Sequence, residues 1–449
     1  MTAPTAAPLP RESSHPSRTN PRRAATAAFL GTVIEFYDLV IYGTAAALVF
    51  GRVFFHDVSP HVALIMSFTT FASGYLVRPV GGLIFGYIGD RFGRRRALML
   101  TIVMMGAATV LIGALPTYAT AGALAPILLV LLRLLQGLAV GGEQGGAVLI
   151  AVEHAPANKR GFYGSFSTAG AQGGTVIATA VFALVTLLPD DAFNAWGWRI
   201  PFLLSAAIVA IGVLVRYGLE ETPDFQKVQQ SGKRARNPIR AALTGQPLTI
   251  VGIMLVMGGV FACWYLLTVY SLSYAVEHTG ITRTTMLWLV SVATLLVVVM
   301  NPVWGAVSDR IGRTGLVAGG LLLEGVLLFA YFAALPTGNI TLIFVLMLAT
   351  TGCGHAMING VFPAFVTESL PAEVRYTAGS FGIQLAGVLG GFAPLAAVAL
   401  EDSSAGPMSI PALCLLICVL GAISAYTLVR QYRPAGSTGA GLEPAPTFG

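Results

Sequence analysis

Seven ionisable side chains stand inside long apolar runs of this chain: Glu35, Asp38, Arg78, Arg133, Glu143, Glu324 and His355. A charge in hydrocarbon is costly and is kept where it faces a polar interior or a pathway. Burial favours the neutral form of a carboxylate, and a neighbouring cation favours the ionised form. A carboxylate that trades an arginine partner for a proton is therefore a simple coupling device. Glu35, Asp38 and Tyr42 recur at spacings of three and four, on one face of a helix. Arg133, Gln136 and Glu143 lie on a second helix with Gly137, Gly141, Gly142, Gly145 and Gly146, a composition that permits close helix approach. Glu35, Asp38, Arg133 and Glu143 are the proton-coupling candidates. Arg133 has two readings: a bidentate clamp on a substrate carboxylate, or a partner of Asp38. It stands ten residues before Glu143, about 15 Å along a helix, so the two need not share a partner. Arg78 precedes Pro79 and two glycines at an expected kink. Its charge is met by Glu35 or Glu143, or it faces a cavity. Glu324, within Leu-Leu-Leu-Glu-Gly-Val, reads as a polar packing contact. Candidates for substrate contact are Tyr42, Arg78, Arg133, Gln136, Gln172, Tyr265, His355, Asn359 and Gln384, of which His355 and Asn359 share a helix face. Tyr270 and Tyr274 read as part of an interfacial aromatic belt.

The elements that position these residues follow from composition. Mean hydropathy is +0.76 and only 10% of residues are charged, against about 25% in soluble domains. A chain of 449 residues with this balance is solvated by lipid. About 20 apolar residues span a bilayer as a helix. Twelve runs qualify: 26–50, 62–88, 97–115, 124–150, 162–187, 198–218, 247–272, 284–307, 315–335, 340–364, 376–399 and 409–430. Twelve spans put both termini on one side. Twenty-one of the 26 basic residues fall in segments on that side, among them Arg11, Arg22, Arg91, Arg94, Lys159, Arg216, Lys233, Arg313 and Arg430. Only Arg52, Arg199 and Arg283 fall on the other, and Arg78 and Arg133 lie within spans. Positive loops stay inside, so the termini are expected in the cytoplasm and the chain in the cytoplasmic membrane. The net charge of +6 is thus a topology signal, and nucleic acid is not an expected partner. No metal-ligand spacing, nucleophile–base set or phosphate loop is present, so neither an enzyme nor a bound metal or cofactor is expected. Cys263, Cys353, Cys414 and Cys418 all lie in apolar runs and read as packing residues.

The stretch Gly86-Tyr-Ile-Gly-Asp90-Arg91-Phe-Gly93-Arg94-Arg95-Arg96 returns 219 positions later as Gly305-Ala-Val-Ser-Asp309-Arg310-Ile-Gly-Arg313. Glu153 and Arg160 return as Glu368 and Arg375, and Gly164-Ser-Phe166 as Gly379-Ser-Phe381, each at an offset of 215. The fold expected is all-α: twelve transmembrane helices in two six-helix bundles related by a pseudo-two-fold axis, with the site between them near the midplane. The bounds are a disordered tail over 1–24, an N-terminal bundle over 25–218, a linker over 219–246, a C-terminal bundle over 247–432 and a tail over 433–449. The arginines of the repeated loop sit at the headgroups. Either the loop only anchors topology, or Asp90 faces a helix end and binds an arginine, closing a gate. Glu153/Arg160 and Glu368/Arg375 would add pairs to that gate.

These residues resemble the major facilitator superfamily over about 25–430. The loop motif at Gly86–Arg95 is complete, and its copy departs at Thr314, where a second basic residue is usual. Arg133-Leu-Leu-Gln136-Gly137 resembles the superfamily's span-four motif, whose arginine is tied to proton coupling. The nearest likeness is to the metabolite:H⁺ symporters, carried by Ile34-Glu-Phe-Tyr-Asp38, Arg78-Pro-Val-Gly-Gly82, Gly141-Gly-Glu143, Gly197-Trp-Arg-Ile-Pro-Phe202, Glu220-Glu-Thr-Pro223 and Arg375-Tyr376. The resemblance implies inward proton symport by alternating access in a monomer. It implies a cargo such as shikimate or a di- or tricarboxylate, with proline or betaine as the alternative and export less favoured. The tail after Arg433 has no heptads, which speaks against an osmosensing coiled coil.

Overall fold

The computed structural model describes residues 21–92, 94–141, 152, 155–217, 247–370, 372–401 and 408–432. The linker expected over 219–246, the tail over 433–449, Gly93, Glu143 and Glu153 lie outside the described residues. Gly86, Asp90, Arg91, Arg94, Arg95 and Arg375 lie on described helices, but their side chains are also outside that set.

Among the described residues ten helices are long and apolar enough to cross a bilayer, and two shorter apolar helices complete twelve. In chain order they are α1 (Ala28–Phe54), α2 (Pro60–Phe85), α3 (Met99–Gly113), α4 (Leu124–Gly141), α5 (Arg160–Val185), α6 (Gly197–Ile211), α7 (Pro247–His278), α8 (Arg283–Ile311), α9 (Thr314–Thr337), α10 (Ile340–Glu368), α11 (Gly379–Glu401) and α12 (Ser409–Gln431). Helical structure leading into α1 starts at Pro21, inside the stretch expected to be a tail. Among the described residues there is no β-strand.

The helices turn their polar residues inward among an apolar core and leave large apolar side chains on the outside. On α4 Leu124, Ile127, Leu131 and Leu135 form an exposed stripe, while Leu129, Arg133, Gln136 and Gly137 are buried. That inversion suits a helix whose solvent is lipid. Starts are set by local chemistry. Ser59 accepts from the Val62 amide ahead of Pro60, and Asn339 accepts from the Leu342 amide ahead of α10.

In the N-terminal half α1 packs on α5, and α4 on α2 and α3. In the C-terminal half α7 packs on α11 and α12, and α9 on α12. The halves meet along two seams, α5 against α8 and α2 against α11. The helical backbone widens to π geometry at Ala46–Phe50 in α1, Leu266–Tyr270 in α7 and Thr350–His355 in α10. The first two stand 220 positions apart, so the repeat extends to the backbone irregularity itself. Such turns re-aim side chains and cluster at functional sites.

Candidate functional site

Glycines bring α2 and α4 into backbone contact. A Cβ at Gly137 would overlap the Gly74 carbonyl, and one at Gly141 the Arg78 carbonyl. A Cβ at Gly74 would overlap the Arg133 side chain. The glycines therefore make the seat in which Arg133 lies.

That seat is a cage of rings. Arg133 is 1% exposed, and its guanidinium carbon lies 4.1 Å from the Tyr42 ring centre, 5.2 Å from Phe71 and 5.6 Å from Tyr75. Nη1 donates to Gln136 Oε1 at 2.6 Å and Nη2 to the Phe71 carbonyl at 3.3 Å. Arg78 lies against the same cluster, its guanidinium carbon 3.8 Å from the Tyr75 ring centre. Neither arginine forms an ion pair with a carboxylate among the described residues. Of the two readings of Arg133, the pair with Asp38 is thus not made. Gln136 stands between them and also donates to the Asp38 carbonyl at 3.4 Å and to Thr109 Oγ1 at 2.9 Å. The Asp38 carboxylate is fully buried and accepts from the Ser205 hydroxyl of α6. Arg78 likewise makes no ion pair with Glu35, which is buried on α1.

The remaining candidates fall on the seams. Tyr75 donates to Tyr265 Oη at 2.6 Å, joining α2 to α7 across the halves. Gln384 donates to the Gly141 carbonyl at 3.3 Å, joining α11 to α4. Tyr42 donates to Thr70 within its own half, at 2.8 Å. In the C-terminal half His355 Nδ1 lies 2.9 Å from Glu324 Oε1, which gives Glu324 a polar contact between α9 and α10. Asn359 Nδ2 lies 2.6 Å and Gln172 Nε2 3.3 Å from His355 Nε2. Trp264 stacks on the imidazole at 4.2 Å. Tyr270 is 2% exposed and donates to Glu401 at 3.3 Å, so it lies inside the fold and not in a lipid-facing belt.

Phe71, Tyr75 and Ser205 escaped the sequence reading. Phe71, Tyr75 and Arg78 recur at spacings of four and three, an aromatic stripe leading into a buried arginine. That signal was available. Nothing near Ser205 marks it as the partner of a residue on α1.

The second copy of the basic loop forms a latch. Asp309 Oδ1 accepts from the Gly161 amide at 2.8 Å and Oδ2 from the Phe162 amide at 3.0 Å, capping α5 from the opposite half. A carboxylate there satisfies orphan amides and meets the positive end of the helix dipole. Arg313 donates to Asp309 at 3.0 Å and grips Glu368 with Nε at 2.6 Å and Nη2 at 2.8 Å. Burial opposes the Arg313 charge, but hydrogen bonds to Glu368 and Asp309 and their charges outweigh it and raise its pKa. Arg310 is exposed and takes no part. Arg160 begins α5 beside the latch and is partly buried. The same seam holds at mid-depth through Ser291 and Thr179 at 2.7 Å, and at its far end through Thr186 and Thr284 at 2.9 Å and an Arg283–Asp190 ion pair. It is closed from end to end.

Comparison with known proteins fits this geometry. The family model of the Major Facilitator Superfamily matches residues 28–394 and 260–447. The shikimate transporter of Escherichia coli (strain K12) is 39% identical over 93% of this chain and 96% of its own length. The proline/betaine transporter of Salmonella typhimurium is 33% identical over 91% of this chain and 83% of its own. Among solved structures, a D-xylose–proton symporter superposes with a TM-score of 0.71 at 19% identity, over 91% of this chain and 98% of that one. A helical fold in two halves, contacts of Asp309 across them and buried charges between the helices are what such a family would show: the chain belongs to the Major Facilitator Superfamily, as a multi-pass membrane transporter and not an enzyme.

Proposed function

We propose that this transporter carries a small organic anion, of the shikimate or di- and tricarboxylate kind, inward with protons. One observation carries the reading. Two buried guanidinium groups, Arg133 and Arg78, lie near one tyrosine ring with no carboxylate partner among the described residues. Buried charge without a counter-charge is unfavourable, and an incoming carboxylate supplies it by a charge-assisted contact. The 39% identity to a shikimate transporter supports the same class.

In this reading the anion meets Arg133 and Arg78 between the halves, with Tyr265 and Gln384 contributing from the C-terminal half. Asp38 and Glu35 on α1 exchange protons as the halves rock. The latch of Asp309 and Arg313 faces the cytoplasm with both termini, and its release opens the inward path. The cytoplasmic membrane is the site of action, the carrier works as a monomer, and the proton gradient drives it with no cofactor.

A betaine-type carrier is the second reading, favoured by the 33% identity to a proline/betaine transporter. Aromatic cages suit quaternary ammonium groups. Here, however, the cage of Tyr42, Phe71 and Tyr75 already holds a guanidinium. The deciding measurement is uptake into reconstituted vesicles under an imposed inward proton gradient, with labelled shikimate, citrate, α-ketoglutarate, proline and betaine. Gradient-stimulated uptake of a carboxylate is expected. Uptake that ignores the gradient overturns the coupling, and uptake of betaine alone overturns the cargo.

A further inference from the structure

We propose that Glu324 and His355 form a proton-binding pair in the C-terminal half, and that Gln172 links its occupancy to closure of the two halves. The inference rests on the proton-symport reading and adds a site to it.

Glu324 is 1% and His355 2% exposed, deep in a membrane bundle. No lysine or arginine lies between Arg313 and Arg375, the stretch that includes all of α9 and α10. The imidazole is the sole charge partner of Glu324 among the described residues, and Glu324 Oε2 has no hydrogen-bond partner there. A buried carboxylate without a fixed cation is balanced by a proton. The pair differs in this from the arginine-based contacts of the other half, whose charge is permanent.

The surroundings fit proton exchange at one nitrogen. Asn359 Nδ2 and Gln172 Nε2 both face His355 Nε2, so that nitrogen accepts and Nδ1 carries the hydrogen toward Glu324. A proton added at Nε2 makes an imidazolium against a carboxylate, neutral as a pair. Trp264, stacked 4.2 Å away at 19°, favours that cation. The new N–H then needs an acceptor. Gln172 Oε1, which has no partner among the described residues, provides it once the amide turns. Gln172 belongs to α5 and His355 to α10, so loading the proton replaces the neutral 3.3 Å contact across the halves with a charge-assisted hydrogen bond. Opening the seam removes that acceptor and admits water, and the proton leaves from Nε2. Among the described residues the Cys263 thiol of α7 is the further titratable group that feels the Glu324 charge, and its Sγ lies 3.7 Å from Cys418 Sγ of α12.

The test has two arms on the full-length chain. In lipid nanodiscs, with no substrate, tryptophan emission is titrated from about pH 5 to 9, the range in which imidazole commonly changes charge. Trp264→Phe identifies the share due to Trp264. A step is expected in the unaltered chain, lost in His355→Gln and in Glu324→Gln, and restored by Glu324→Asp, which separates lost chemistry from misfolding. A step that survives His355→Gln or Glu324→Gln, or no Trp264 step at all, overturns the proton site. In vesicles, labelled shikimate is followed as gradient-driven accumulation and as one-for-one exchange. The ratio of accumulation to exchange is expected to collapse in Glu324→Gln and to fall in Gln172→Leu, although Gln172→Leu keeps the emission step. An unchanged ratio in both overturns the coupling role. If the unaltered chain titrates but accumulates no carboxylate under a gradient, the symport reading fails while the proton-binding pair stands.

Discussion

The two halves fill the corresponding helices of a repeat with different chemistry. Gln136 lies on α4 and His355 on α10, the fourth helix of each half. In the N-terminal half that helix carries an amide bonded to Arg133 at 2.6 Å. In the C-terminal half it carries an imidazole facing Glu324 at 2.9 Å. One site is built around a permanent charge held by rings, the other around a charge that a proton can cancel. The backbone diverges with them. Residues 350–355 of α10 are π-helical, whereas α4 stays α-helical from Leu124 to Gly141. The repeat preserves the scaffold and its motion, and the chemistry is free to differ because side chains at the pseudo-two-fold axis never have to superpose.

Breaking the permanent charge is the harshest way to disturb that comparison. Arg133→Ala is expected to cut initial uptake by on the order of 100-fold or more, the effect of removing one side of a buried charge contact. Arg133→Lys should not restore it, since an ammonium lacks the planar face that lies against Tyr42. Near-normal rates for the lysine variant in reconstituted vesicles would show that charge alone suffices and that the cage is incidental.

The helix contact that seats Arg133 comes next. Gly141→Val forces α4 off the Arg78 carbonyl and is expected to cost about 1–3 kcal/mol or more. Gly319 of α9 has no heavy atom near its missing Cβ, so Gly319→Ala should stay within about 0.5 kcal/mol of neutral. Thermal unfolding in detergent compares them, and equal shifts would remove the special role given to the α2–α4 contact.

Smaller effects belong to the latch. Asp309→Ala strips the cap from α5 and is expected to shift closure by about 1–2 kcal/mol. Distances between spin labels on the first turn of α5 and the last turn of α8 should broaden toward longer values. Glu368→Gln should do least, about 0.2–1 kcal/mol, because the Glu368 side chain is 35% exposed and screened by salt. A Glu368 effect as large as that of Asp309 would move the centre of the latch from the helix cap to the arginine.

Much of the architecture could be read before any coordinates. The apolar runs mark the twelve helices because a bilayer demands about 20 such residues for each. The duplicated loop drew attention to Asp309 and Arg313, and at that second copy a carboxylate meets a helix end and an arginine grips it. The site was legible only as a set of residues. Glu35, Asp38, Arg78, Arg133 and His355 are buried as expected, yet their partners were not foreseen: Ser205 for Asp38, Gln136 and three rings for Arg133, Glu324 for His355.

The division has one physical cause. Hydropathy and charge act on whole segments against a uniform solvent, so the sequence alone determined how many helices cross, how they repeat and which side chains must be sheltered from lipid. Partner choice depends on rotation, tilt and approach of packed helices, and these come from neighbours and not from the run itself. Glycine contacts turned Arg133 toward Tyr42 and away from Asp38, and a π turn ends at His355, which lies against Glu324 and Gln172. Only the tertiary structure could decide which side chains each buried charge meets.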